Sequence, residues 1–197
     1  DFETYADKKD NLKHKPYLCC YETEEGQKGY YTGKNCARNF LDNLPQDKGD
    51  NIMLIAHNCG YDYKFLFDLL SSMKPIMKGS GLMTCDAKYY KNKVNSKQLE
   101  FTWNIKMKDS YKLIPEPLRK FGKMFNLKQG KEVIPYKLYN NVFSTYGISK
   151  IWYKEKFVYD AVIAECGLDN LEQFKDNCKK WKIIVNGEIN IMEYSRR

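Results

Sequence analysis

The sequence predicts an α/β domain on a mixed sheet, with three antiparallel strands plus a parallel one and helices on its flanks. Three observations lead there. Candidate elements run strand, strand, strand, helix, strand, helix over residues 1–72. The apolar run at 52–55, Ile-Met-Leu-Ile, is short and β-branched enough for a buried strand. Beyond it, Phe65, Leu66, Leu69 and Met73 fall three, four, seven and eleven residues after Asp62, the spacing of one helix face. Three antiparallel strands and a helical crossover would set the strand at 52–55 beside the first strand and parallel to it.

Residues 1–6, D-F-E-T-Y-A, read as a strand end, with Asp1 and Glu3 on one face and Phe2 on the other. Two carboxylates so close repel each other, a cost that a shared cation removes; the plain alternative is a solvated strand end. Residues 16–21 and 29–32 form two strands of a meander that turns at Glu24-Glu25-Gly26. Ala37, Phe40, Leu41 and Leu44 mark a short helix over 35–44. The strand at 52–55 ends in His57-Asn58-Cys59-Gly60 and leads into a helix over 61–72, which aims Asp62 inward on the apolar face. A buried carboxylate needs a cation, a proton or hydrogen-bond donors. Asp1, Glu3 and Asp62 would then meet near His57 and Asn58.

Residues 73–107 read as strands with turns at 78–81 and 91–97. Gly79-Ser80-Gly81 lacks the Gly-Lys-Ser/Thr of a phosphate loop. A basic amphipathic helix spans 117–126, with Leu118, Phe121 and Phe125 inward and Arg119, Lys120 and Lys123 outward. Residues 128–136 are a loop, and 138–156 are aromatic but weakly patterned. Helices follow around 158–166 and 170–184, then a turn at Asn186-Gly187 and a last helix from Ile189.

The 197 residues suit one domain, or one domain with an appendage, and 43% hydrophobic with 15% aromatic content excludes disorder. The balance of 33 Lys and Arg against 25 Asp and Glu, net +8, favours a polyanionic partner. Seven cysteines in no C-x-x-C spacing predict free thiols in a reducing compartment inside the cell. No apolar run approaches the ~20 residues of a membrane span, so no membrane partner is expected. A chain opening on Asp1 rather than Met reads as a piece of something longer.

Taken together, D-F-E at a strand end and H-N-x-x-Y-D at 57–62 resemble the first two exonuclease motifs of family B DNA polymerases. The run 109–115, D-S-Y-K-L-I-P, with K-E-V-I at 131–134, resembles the protein-primed branch found in small bacteriophages, linear mitochondrial plasmids and related viruses. Tyr111 stands where that branch usually carries Leu. The resemblance implies an RNase H-like fold of the DEDD exonuclease superfamily, with a core at 1–136 and a helical extension at 137–197 leading to a third motif. It implies 3′–5′ proofreading hydrolysis of single-stranded DNA with two Mg2+ or Mn2+ ions. By motif match, Asp1, Glu3 and Asp62 hold metal and Lys131 acts on the scissile phosphate. Thr4, His57, Asn58, Tyr61, Phe65, Ser110 and Tyr111 contact DNA. The third motif, Tyr-x-x-x-Asp, either takes Tyr194 as its tyrosine, with its Asp expected just past Arg197, or lies wholly downstream.

The implied partners are a single-stranded 3′ end, the rest of the polymerase chain and a terminal priming protein, in a mitochondrial or viral or plasmid setting. Two other readings stay open on these residues. One is a stand-alone DEDD exonuclease. The other is a catalytically incomplete single-strand-binding module, which the missing fourth carboxylate favours.

Overall fold

A computed structural model describes residues 1–44, 51–92, 99–127, 133–146 and 150–196. They divide into two compact units: Asn35–Lys131 together with Asp1, and Phe2–Lys34 together with Glu132–Arg197. The sequence boundary near 136 divides the chain differently, because the N-terminal strands pack with the C-terminal helices.

The first unit is α/β. It holds α1 (Cys36–Asp42), β4 (Asn51–Ala56), α2 (Gly60–Phe67), β5 (Leu70–Lys78), β6 (Gly81–Asn92), β7 (Leu99–Asp109) and α3 (Leu118–Met124). Its sheet runs β4-β7-β6-β5, parallel between β4 and β7 and antiparallel elsewhere. The mixed sheet flanked by helices is therefore present. The parallel partner of β4 is β7, however, and not the first strand. An apolar run specifies a strand but carries no information about its neighbour, and β7 supplies a matching one. Along β7, Ile105 and Met107 are buried while Asn104, Lys106 and Lys108 are exposed, the alternation of a sheet with one wet face.

Hydrogen bonds anchor the end of α1 on the buried side of this sheet. The Trp103 indole N–H donates to the Leu41 carbonyl at 2.8 Å, and Tyr89 donates its hydroxyl proton to Asp42 Oδ1 at 2.6 Å. Lys91 Nζ reaches the Asp42 carbonyl at 3.1 Å, a cation placed on a helix C-terminus.

Two helices differ from expectation. The helix after β4 ends at Phe67 rather than 72, because Leu70 and the residues after it pair with β6. Its buried residues are Tyr63 and Leu66, so Asp62 is half-buried beside that stripe and not aimed into it. In α3 and at its C-cap, Leu118 and Phe125 are exposed, while Phe121 meets the Phe125 ring at 5.2 Å and packs on a neighbour described below.

The second unit opens with an antiparallel meander of β1 (Phe2–Asp7), β2 (Lys13–Glu22) and β3 (Lys28–Thr32). It continues with α4 (Tyr136–Tyr146), β8 (Trp152–Lys154), α5 (Glu155–Cys166), α6 (Leu171–Lys180), β9 (Ile184–Val185), β10 (Glu188–Asn190) and α7 (Ile191–Ser195). The weakly patterned stretch thus contains a helix, α4, whose Leu138, Tyr139, Val142 and Phe143 are all buried. It lies against β1, the edge of its sheet, and Asn140 Oδ1 accepts from the Ala6 N–H at 3.0 Å. The Tyr17 and Phe143 rings meet at 4.3 Å, and the Tyr139 hydroxyl donates to the Ile191 carbonyl at 2.8 Å. Asn186 and Gly187, at φ 51° and 73°, make the tight turn between β9 and β10. Ile189 accordingly sits in β10, and the last helix starts two residues later than expected, at Ile191.

None of the seven cysteines is in a disulfide. Burial pushes the Cys59 thiol up to about 12, helped by the Asp109 carboxylate, and burial with Glu155 does the same for Cys178. Because these folded values exceed the ordinary 9.0, their contribution to stability is complete below pH 9 and declines as the pH rises toward 12. Native alkylation near neutral pH is expected to label the half-buried Cys20 and Cys166 well before Cys59 and Cys178. Equal labelling rates, read by mass spectrometry, would contradict this burial.

Candidate active site

The parallel register of β4 and β7 ends with Ala56 opposite Asp109. The two chains leave the sheet side by side, His57-Asn58 from one strand and Ser110-Tyr111 from the other. A dense set of hydrogen bonds ties the two exits. His57 Nε2 lies 2.8 Å from the Glu116 carbonyl, which can only accept, so Nε2 carries the proton. Nδ1 lies 3.1 Å from Ser110 Oγ, whose one proton is shared between the imidazole and the Ala56 carbonyl, 3.3 Å away. The imidazole is held edge-on between Tyr111, at 5.3 Å, and Phe121, at 5.0 Å.

Asp109 organises this junction. It is 5% exposed, the buried charged residue among those described. Its Oδ1 accepts from the Asn58 N–H at 2.8 Å and from the Tyr111 N–H at 2.9 Å, and its charge helps to hold the neighbouring Cys59 thiol protonated. Asn58 sits at φ 58°, a left-handed conformation that Asn tolerates better than most side chains. Tyr63 adds a further tie, its hydroxyl within reach of both the Leu54 and Lys108 carbonyls, at 2.8 and 3.1 Å.

On α2, Tyr61 and Phe65 stand one turn apart and meet edge to face at 5.3 Å. Lys64 Nζ lies 3.8 Å from the Tyr61 ring centre and 4.9 Å from that of Phe65. Tyr61 is 39% exposed, so this aromatic and cationic surface faces solvent. Asp62 occupies the first turn of the same helix, where a carboxylate complements the helix dipole.

The sequence model of DNA polymerase type B, organellar and viral, matches residues 46–187, well over half of the chain. The chain belongs to this family.

Among solved structures, one titled "Phi29 DNA polymerase complexed with single-stranded DNA" is similar to this polymerase chain over 94% of its length. That likeness covers 34% of the other chain, at 20% identity and a TM-score of 0.49. The chain thus spans about a third of that polymerase. No curated protein matches it.

Within this polymerase chain, the structure brings together four of the residues expected to touch DNA: His57, Asn58, Ser110 and Tyr111. Asp62, Tyr61 and Phe65 follow on the adjoining helix. Asp62 and Lys131 lie inside the family match, and Asp1, Glu3 and Tyr194 lie outside it. Lys131 is also outside the described residues. Thr4, in the second unit, has its hydroxyl 3.3 Å from His14 Nδ1. Tyr194 is 2% exposed, stacked on Phe174 at 4.2 Å, and its hydroxyl accepts from Asn177 Nδ2 at 3.3 Å. Its ring is core material.

Convergence of Asp1, Glu3 and Asp62 was expected from a β1–β4 pairing, and β4 pairs with β7 instead. Among the described residues no group of three or more His, Cys, Asp or Glu side chains could hold a metal ion. The donor types themselves, carboxylate oxygens, suit Mg2+ or Mn2+. Among the described residues no helix is long and apolar enough to cross a membrane.

Sequence reasoning missed Asp109, Lys64, Glu116 and Phe121. Asp109 had one available signal, its place immediately before Ser110 at the end of a strand.

Proposed function

We propose that the chain is the 3′–5′ exonuclease, or proofreading, domain of a protein-primed type B DNA polymerase, acting on the 3′ end of single-stranded DNA. One observation carries the reading. Two segments matched to DNA-contacting motifs, 57–58 and 110–111, leave adjacent parallel strands and are bonded to each other within a chain of this polymerase family.

Asn58, Ser110 and Tyr111 would hold the terminal nucleotides, with His57 fixing the Ser110 hydroxyl. Tyr61 and Phe65 would stack on bases while Lys64 attracts phosphate, a combination that tolerates any sequence. Thr4 is proposed to touch the same strand. Asp1, Glu3 and Asp62 are proposed as the metal ligands. Two bound Mg2+ or Mn2+ ions would supply Lewis-acid stabilisation of the attacking and leaving oxygens. Lys131 would stabilise charge developing on the scissile phosphate. Tyr194 is proposed as the third-motif tyrosine on sequence alone, since its hydroxyl is turned to Asn177.

Lys131 offers a sharp test of role. Lys131→Ala is expected to lower kcat about 10²-fold or more and to change the affinity for single-stranded DNA by less than about threefold. Equal losses in both would remove Lys131 from the chemistry.

A second reading rests on one specific observation, the lack of a three-ligand metal group among the described residues. It is a single-strand-binding module without nuclease activity. An intact protein that binds a 5′-labelled oligonucleotide in Mg2+ or Mn2+ and never shortens it would establish that reading and end the first.

A further inference from the structure

We propose that Asp109 is the positioning residue of the site, holding the 57–58 and 110–111 segments in the one relative placement in which both face the same strand of DNA. For its effect on DNA the proposal rests on the exonuclease reading; the clamp itself does not.

The geometry argues for placement rather than for simple stability. Asp109 ends β7 level with Ala56, and its carboxylate reaches past the strand end to the backbone of the neighbouring exit. One oxygen, Oδ1, takes both amides, Asn58 from across the junction and Tyr111 from its own turn. The positions of those two amides are thereby locked to a single atom. The backbone at Asn58 is left-handed, so its N–H points where a regular strand or helix could not receive it. Without the carboxylate the Asn58 N–H loses the acceptor that ties it to the neighbouring exit. Downstream, the Ser110 hydroxyl and the His57 ring are set by bonds between the two exits, and both depend on the same spacing. Asp109 itself is 5% exposed and covered by these groups, so it reaches DNA only through them.

This predicts an unusual order among substitutions. Asp109→Asn removes the charge but keeps a carbonyl oxygen in place for both amides. Asp109→Glu keeps the charge but displaces the carboxylate by one methylene. If position is what counts, Asn outperforms Glu; if charge or metal attraction counts, the order reverses.

The test uses the intact protein with divalent metal chelated, so that binding is read apart from cleavage. Affinity for a fluorescein-labelled single-stranded oligonucleotide and amide exchange at Asn58 and Tyr111 are measured for each variant. We expect Asp109→Asn to stay within about threefold of the wild-type affinity and Asp109→Glu to lose roughly tenfold. The Glu variant should show faster exchange at Asn58 and Tyr111, with amides in the interior of β6 unchanged. Full affinity in Asp109→Glu, or a loss in Asp109→Asn at least as large, would overturn the proposal. A wild-type protein that binds but, with Mg2+ restored in a parallel assay, never shortens DNA ends the exonuclease reading, and the positioning role then stands or falls on the binding order alone. One that does not bind DNA ends both the DNA reading and the positioning role, whatever the exchange pattern shows of the clamp.

Discussion

Asp62→Ala is expected to reduce 3′ shortening of single-stranded DNA by about 10³-fold, since losing the carboxylate proposed to hold metal would remove several kcal/mol of transition-state stabilisation. Stability should scarcely change. Asp62 is half-buried in the first turn of α2, and its dipole contribution there is about 0.3–1 kcal/mol. A thermal melt run beside the rate assay separates the two effects. A variant that cleaves within about twofold of wild type would remove Asp62 from the reaction. A variant that loses activity together with several degrees of melting temperature would assign it to the fold.

The largest effect on stability is expected from Phe143→Ala in the second unit. Phe143 is 1% exposed and meets Tyr17 at 4.3 Å, Tyr139 at 5.8 Å and Tyr5 at 5.9 Å, so it joins α4 to both β1 and β2. Its truncation leaves a cavity among rings that cannot collapse into it. The expected cost is about 3–5 kcal/mol, measured by urea denaturation. A loss under about 1 kcal/mol would mean that α4 does not pack on the meander as described.

Much of the fold was legible because periodicity is local. The strands β5, β6 and β7 and the helices α5 and α6 announce themselves by alternation or by a helical stripe. What the sequence could not show was which strand lies beside β4, because the apolar run at 52–55 fits any neighbour with a matching face. The helix after β4 was overextended for a related reason. Leu69 and Met73 continue the helical spacing by coincidence, while the antiparallel pairing with β6 claims the chain from Leu70 onward. The α4 helix was missed because Tyr139, Val142 and Phe143 are poor helix formers by propensity, and packing against β1 decides their conformation.

The site divides in the same way. His57, Asn58, Ser110 and Tyr111 were legible as motif residues, and the structure adds that they belong together. Asp109 was not legible, since its role depends on β4 and β7 being parallel and in register. Lys64 was hidden because a lysine between two aromatic residues reads as an ordinary solvated charge until the helix places its ammonium over both rings.

Hydrolysis from the 3′ end is the activity proposed for this site. The most direct measurement follows one oligonucleotide carrying either a 5′ or a 3′ label, incubated with the intact protein and Mg2+. A descending ladder is expected from the 5′-labelled strand and immediate release of a mononucleotide from the 3′-labelled one. A ladder from the 3′-labelled strand, or stable binding with no cleavage of either, would contradict it.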